Sequence, residues 1–97
     1  MSEIGVVGFD WDEGNVDKSF IKHGVKPSQS EEVFLDEFLL VLADTNHQQV
    51  EHRWMAIGST FQGLLLFVVF TVRGQKVRVI SARMANKKER VFYEANT

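Results

Sequence analysis

Two adjacent apolar segments in the second half of the chain constrain its fold most. Residues Leu64–Val72 are apolar except for one threonine, which is typical of a central strand that is buried on both faces. Residues Val77–Arg83 are rich in β-branched side chains and have the alternation of a second strand. Arg73-Gly74-Gln75 is a short connection between the two. The pattern predicts an antiparallel hairpin within a sheet.

Shorter segments predict three further strands. They are expected at Ile4–Trp11, Phe38–Ala43 and Glu51–Ser59, with a polar loop between the last two. The element order becomes β-α-α-β-β-β-β-α, without repeats or linkers. We therefore predict one α+β domain over residues 1–97. It contains a mainly antiparallel sheet of four to five strands, and its helices cover one face of that sheet.

End signals predict two N-terminal helices and one C-terminal helix. Asn15 is expected to cap the first helix and Gly24 to end it. The pairs Ser28–Glu31 and Asn86–Glu89 have the spacing of a capping box. We expect these two pairs to cap the second and third helices, the second opening at Pro27-Ser28 and the third starting near Lys87.

Composition favours a soluble protein of the cytoplasm. The chain has no cysteine, so disulfides and thiol chemistry are excluded. The N-terminal residues lack the basic segment and long apolar core of a signal peptide. The longest apolar segment is far shorter than the roughly 20 residues that span a bilayer. We therefore expect no contact with a membrane.

The net charge of −2 hides an asymmetry between the two halves of the chain. Residues 1–50 carry ten acids and three lysines, whereas residues 51–97 carry three acids and eight bases. A basic half suits an anionic ligand such as nucleic acid, and an acidic half suits a basic partner. Alternatively, the two halves pair with each other within the fold.

Most common catalytic motifs are missing from the sequence. His23, His47 and His52 do not have the spacing of metal ligands, so we predict no metal and no other cofactor. A glycine-rich phosphate loop and a Gly-x-Ser-x-Gly nucleophile turn are also absent. The phenylalanines Phe61, Phe67 and Phe70 belong to apolar segments, and we expect them in the core.

A basic cluster is the strongest candidate site. Arg53, Arg78 and Arg83 lie in strands that are expected to be neighbours, with Lys22 and His23 at a helix end nearby. Such a group can hold an RNA phosphate and stabilise the charge that develops during cleavage. His23 can also exchange protons near neutral pH.

The structural alternative for this cluster stays open. The strand arginines can pair with Glu51 or Glu89, and positive charge at a helix end is favoured by the helix dipole. Strict alternation also places Arg78 and Arg83 on opposite faces of their strand. We expect twist or a bulge near the strand end to bring Arg83 back towards a shared cleft.

Several motifs over residues 9–94 occur together in one protein family. The motif Lys22-His23-Gly24-Val25 lies in the first half, Glu51-x-Arg53-Trp54 in the middle, and Arg78-x-Ile80-Ser81-Ala82-Arg83 near the end. In this combination the sequence resembles the BrnT toxins. The resemblance implies a RelE-like fold and a bacterial ribonuclease toxin that cleaves RNA without a metal and inhibits translation.

The resemblance also implies partners and residue roles. A BrnA-like antitoxin neutralises the toxin and carries the DNA-binding domain, so the toxin meets DNA only indirectly. Arg53, Arg78 and Arg83 are assigned to the phosphate, and His23 or Glu51 to proton transfer. Lys22, Ser81 and Arg90 are assigned to RNA binding. The alternative is an inactive RelE-like module that acts only through a protein partner.

Overall fold

A computed structural model describes residues 8–44 and 52–97 of the chain. In chain order its elements are β1 Gly8–Phe9, α1 Lys18–His23, α2 Pro27–Val33, β2 Leu40–Ala43, β3 Trp54–Ser59, β4 Leu65–Arg73, β5 Lys76–Met84 and α3 Lys87–Ala95. The five strands form one sheet in the order β1-β5-β4-β3-β2. Only the short β1 pairs in parallel, with β5, and the other neighbouring strands are antiparallel. The predicted α+β architecture is confirmed.

Some predicted segments fall outside the described residues. These are the beginning of the strand expected at Ile4–Trp11, most of the loop before β3, and the first residue of the strand expected at Glu51–Ser59. No helix of the described ranges is long and apolar enough to cross a membrane.

The β4–β5 hairpin is the central pair of the sheet, as the sequence predicts. Its turn contains Gly74 with a φ of 62°, a left-handed conformation that glycine adopts at low cost. The register changes once along the hairpin, because Val69 pairs with Ser81 whereas Phe70 pairs with Val79. Ile80 is therefore an extra residue in β5, which is the definition of a β-bulge.

This bulge determines which side chains of β5 share a face. Arg78 pairs with Thr71 and Arg83 pairs with Phe67. Thr71 and Phe67 are four residues apart in β4 and therefore lie on the same side of the sheet. Arg78 and Arg83 consequently share a face. The expectation from alternation was wrong because the extra residue at Ile80 shifts the pattern, in the middle of the strand rather than at its end.

The other face of the sheet forms the hydrophobic core with α2. Val33 and Phe34 at the end of α2 pack against Val68 and Phe70 of β4, and all four are buried. The Phe34 and Phe70 rings meet edge to face with their centroids 5.0 Å apart. Gly58 allows this close approach, since a Cβ atom there would lie 2.7 Å from Val33 Cγ1.

α3 lies against the opposite face, so the prediction that the helices cover one face was wrong. Arg83 and Phe67 project from this face, and Arg83 is ion-paired to Glu89 of α3. Asn86 caps the helix as predicted: its side chain accepts from Glu89 N at 2.8 Å, and Glu89 Oε1 accepts from Asn86 N at 2.9 Å. No residue of α3 is buried. Its position therefore depends on a few contacts at its ends.

The predicted cap of the first helix and the predicted capping box of the second need correction, whereas the predicted opening of the second helix at Pro27 is confirmed. α1 begins at Lys18, and Asn15 instead joins the preceding loop to β5 through bonds from its Nδ2 to Asp10 O and Val79 O. α2 begins at Pro27, where Gln29 Oε1 accepts from Lys26 N at 2.8 Å. The side chains of Asn15 and of Glu31, which binds Trp11 Nε1, have longer-range partners that local spacing does not indicate. Gly24 ends α1 with a φ of 72°, as predicted.

Candidate functional site

Two of the predicted strand arginines, Arg78 and Arg83, form described ion pairs, and the side chain of Arg83 is the more accessible of the two. Its Nη1 and Nη2 atoms donate to Glu89 Oε1 at 2.8 Å and Glu89 Oε2 at 2.9 Å. The guanidinium carbon lies 4.3 Å from the centroid of the Phe67 ring, so the group is held over an aromatic face. The side chain remains 36% exposed. In the described part of the chain, Glu89 is the one ionic partner of this flat, partly exposed guanidinium, which another oxyanion can reach.

The Arg83–Glu89 pair is mutually stabilising. The hydrogen bonds with Glu89 raise the pKa of Arg83 above its usual value, against the effect of burial. Burial disfavours the Glu89 carboxylate, but hydrogen bonds from Arg83 and Asn86 outweigh it and lower the pKa of Glu89. Both groups are therefore charged near neutral pH. This contact is the structural alternative that the sequence left open for Arg83.

Arg78 is held more tightly than Arg83. Its two terminal nitrogens each lie 2.9 Å from an oxygen of Asp12, and Nη1 is 3.6 Å from Asp10 Oδ2. Only 14% of the Arg78 side chain is exposed. The hydrogen bonds from Arg78 and from Gly14 N lower the pKa of Asp12. Arg78 thus joins the loop after β1 to the sheet, a role that its place in the sequence did not indicate.

Two more predicted residues lie on the same face by register. Ser81 pairs with Val69, which alternates with Phe67 and Thr71 along β4. Arg53 directly precedes β3, and its carbonyl accepts from Asp44 N at 2.9 Å, which continues the β2–β3 ladder by one residue. Alternation from Met55 places Arg53 on this face as well. The sheet therefore brings Arg53, Arg78, Ser81 and Arg83 to one face.

Lys22 and His23 are exposed in the last turn of α1. The helix is anchored at the edge of β5, where the buried Ser19 hydroxyl accepts from Ala82 N at 2.8 Å. Ala82 lies between Ser81 and Arg83, so the basic end of α1 begins one turn from this anchor. Within residues 8–44 and 52–97, no hydrogen bond or ion pair joins His23 to a strand arginine. His23, one of the two predicted bases, therefore lies on a helix that is anchored to the strand of Arg83, without a described hydrogen bond or ion pair to that arginine.

The remaining predicted positions are more dispersed. Arg90 is exposed on α3, next to Glu89. Glu51 and His47 lie outside the described residues. In the ranges that the structure describes, no group of three histidine, aspartate or glutamate side chains is arranged to hold a metal ion.

A second contact of α3 was missed by sequence reasoning. The Tyr93 hydroxyl donates to Asp36 Oδ2 at 2.6 Å. Asp36 also accepts from Phe38 N at 2.9 Å and from Ser59 N at 2.8 Å. Burial and the bond to Asp36 raise the pKa of Tyr93 to about 12. Asp36 is one of several acids in its segment, and nothing in the local sequence indicates that its partner lies 57 residues away.

Between these two contacts, α3 and the sheet enclose an apolar groove. Its volume is about 540 Å³, and its walls include Met55, Ile57 and Phe67 from the strands and Val91 and Phe92 from α3. The groove explains why α3 buries no residue although it carries apolar side chains. We call the face of the sheet that carries Arg53, Arg78, Ser81 and Arg83 the arginine face. The groove leaves this face open beside Arg83.

Comparison with known proteins places this arrangement in a family. The structure is similar to the crystal structure of the Brucella abortus ribonuclease toxin, BrnT, with a TM-score of 0.63 and 27% sequence identity. The similarity covers 84% of this chain and 100% of that one. No curated protein sequence matches the chain. Residues 11–89 match the model of a family described as the ribonuclease toxin, BrnT, of type II toxin–antitoxin systems. The chain therefore belongs to the BrnT family of ribonuclease toxins.

Proposed function

We propose that this chain is a metal-independent endoribonuclease that inhibits translation by cleaving RNA. The RNA binds on the face of the sheet that carries Arg53, Ser81 and Arg83. The bidentate contact between Arg83 and Glu89 is the observation that carries the proposal. A guanidinium presents the same pair of parallel N–H donors to a carboxylate and to a phosphate. In the proposed complex, RNA displaces Glu89 from Arg83. Two non-bridging oxygens of a phosphate then take the positions of the two Glu89 oxygens.

The proposed reaction uses the 2′-hydroxyl of RNA as its nucleophile. A base removes the proton of this hydroxyl, its oxygen forms a bond to the adjacent phosphorus, and the bond from phosphorus to the 5′ oxygen breaks. The leaving oxygen takes up a proton, so the products are a cyclic phosphate and a 5′-hydroxyl. His23 or Glu51 is the proposed base, and Arg53 and Arg83 stabilise the charge on phosphorus. Lys22, Ser81 and Arg90 support RNA binding.

We expect Arg78 to contribute less to RNA cleavage than Arg83. A phosphate meets stronger competition at Arg78, because two carboxylates hold the guanidinium and little of it is exposed. We therefore expect Arg83→Ala to reduce cleavage more than Arg78→Ala. Arg78→Ala should reduce thermal stability more, because it leaves Asp10 and Asp12 close together without their cation.

A second candidate function is an inactive module that acts only through a protein partner. The observation in its favour is that Arg78 and Arg83 are both neutralised by carboxylates of the same chain. In this case the ion pair of Arg78 only joins the loop after β1 to the sheet, and the ion pair of Arg83 only joins α3 to it.

One experiment separates the two candidates. The purified protein is incubated with RNA in excess EDTA, alongside Arg83→Ala, Arg83→Lys and the control Arg73→Ala at the end of β4. We expect wild-type cleavage in EDTA, a loss of about a hundredfold or more in Arg83→Ala, and partial activity in Arg83→Lys. Thermal melting of each variant monitors folding.

Three results would contradict the proposed nuclease. They are no cleavage by the wild type, cleavage that EDTA stops and one divalent ion restores, and full activity in Arg83→Ala. A loss in Arg73→Ala equal to that in Arg83→Ala would show a general charge effect instead of a specific contact.

A further inference from the structure

A second surface of the protein combines exposed apolar side chains with carboxylates. Leu35, just after α2, is 71% exposed, and Phe61, in the turn between β3 and β4, is 73% exposed. Both line a cleft of about 300 Å³, and its other walls come from Glu32, Asp36, Glu37, Ser59 and Thr60. We call this surface the α2 cleft. Phe61 was expected in the core, and it is exposed because it lies at the tip of a turn.

Hydrogen bonds hold the two sides of the α2 cleft together. Phe61 N donates to Glu32 Oε1 at 3.0 Å, and Ser59 N donates to Asp36 Oδ2 at 2.8 Å. Within the turn, Gly63 N donates to Thr60 O at 3.0 Å. The exposed side chains are thus presented by a fixed backbone. A ligand that binds here does not pay to order the cleft itself.

The chemistry of the cleft indicates which class of molecule it fits. Two large apolar side chains in water favour a partner that covers them. The neighbouring carboxylates of Glu32 and Glu37 repel phosphates, so RNA and anionic lipids are disfavoured. The acids also belong to the half of the chain that carries ten acids and three lysines. The complementary molecule is a peptide segment with apolar and basic side chains.

We propose that the α2 cleft is the docking site of the antitoxin, through a basic amphipathic segment. An apolar side chain of this segment covers Leu35 and Phe61, and its lysines or arginines approach Glu32 and Glu37. The proposal rests on the proposed toxin function, which supplies the partner. The cleft shares no residue with the arginine face, so docking here differs from covering the arginines.

The cleft is also connected to α3. Asp36 lines it and at the same time accepts the hydrogen bond from the Tyr93 hydroxyl. A basic antitoxin side chain at this carboxylate competes with Tyr93. Docking at the α2 cleft therefore acts on one of the two contacts that hold α3 over the arginine face.

The test titrates a BrnA-like antitoxin against the full chain by calorimetry. The variant Leu35→Glu/Phe61→Glu introduces charge at the centre of the cleft. We expect its Kd for the antitoxin to rise about a hundredfold or more, as for the loss of central apolar contacts. Ile21→Glu is the matched control, because Ile21 is 81% exposed but lies on α1. Its Kd should be unchanged.

The rim is tested with Glu37→Lys. We expect its Kd to rise about tenfold and to depend less on salt, because a screened attraction becomes a repulsion. RNA cleavage by each free variant is measured in parallel. It should equal that of the wild type, because none of the changed residues lies on the arginine face.

The outcomes separate the cleft from the nuclease proposal. An unchanged Kd in the double variant overturns the cleft proposal, as does a wild-type chain that does not bind the antitoxin. If the double variant keeps its Kd but turns a dimer into a monomer in light scattering, a second copy occupies the cleft and the proposal is also overturned. If the wild type cleaves no RNA while the double variant alone loses the antitoxin, the cleft is supported and only the nuclease proposal fails.

Discussion

The two faces of the sheet use similar side chains for different purposes. On the face covered by α2, Val33, Phe34, Val68 and Phe70 form a closed apolar layer. On the opposite face, α3 buries none of its residues and rests on an ion pair and a tyrosine–aspartate hydrogen bond. Apolar packing is worth more per residue than exposed polar contacts. The first face therefore supplies most of the stability, and the second keeps an arginine accessible at low cost.

The largest difference between the faces should appear when one phenylalanine of β4 is removed from each. Phe70→Ala empties a fully buried position and should lower the free energy of unfolding by about 3–5 kcal/mol. Phe67→Ala removes a half-buried ring and its contact with Arg83, and should cost about 1–2 kcal/mol. Urea denaturation of both variants measures the difference. Equal losses would mean that the arginine face contributes to stability as much as the core.

A smaller effect should follow from the removal of the Glu89 charge. Glu89→Gln keeps a residue that can complete the capping box of α3 but weakens the hold on Arg83. We expect RNA to bind about threefold to tenfold more tightly, since the phosphate then competes with a neutral amide. Binding to a non-cleavable RNA, with 2′-deoxy substitution at the cleavage site, measures this change. Tighter binding should disappear in Glu89→Gln/Arg83→Ala, and its persistence there would locate the effect elsewhere.

The smallest effect concerns the alkaline stability of the α3 contact. The pKa of Tyr93 is raised from its usual 10 to about 12, so the contact stabilises the folded protein fully below pH 10. This contribution is lost as the pH rises from 10 to 12 and the phenol ionises beside Asp36. It should amount to about 1 kcal/mol or less, because solvent screens the half-exposed pair.

The measurement is the melting temperature of the wild type and of Tyr93→Phe between pH 7 and pH 11. We expect the two curves to converge as the pH rises, because the variant has no phenol to ionise. No gap at pH 7 would mean that Tyr93 contributes through its ring alone, and a gap that stays constant up to pH 11 would contradict the predicted loss of the hydroxyl contact.

Much of the fold follows from local sequence signals, whereas the site depends on contacts that these signals do not encode. The apolar pattern of Leu64–Val72 and the Asn86–Glu89 pair are local, and both predict the observed elements. Ile80 looks like any β-branched strand residue, so the bulge that it forms is visible only in the register of β4 against β5. Asn15 and Asp36 likewise act through partners far away in the chain. Local spacing cannot indicate such pairs.

The extra residue at Ile80 has a consequence for which changes in length the strand tolerates. In a regular strand one added residue exchanges the sides of everything after it, and the bulge at Ile80 absorbs that exchange. Removing Ile80 alone would leave Arg78 and Arg83 four residues apart in a regular strand, so both arginines would keep their face and their partners in β4. Removing a second residue between them would turn the guanidinium of Arg83 into the layer of Val68 and Phe70, and would turn Ala82 outwards. Natural variation in this strand should therefore tolerate the loss of the bulge more readily than any further loss between the two arginines.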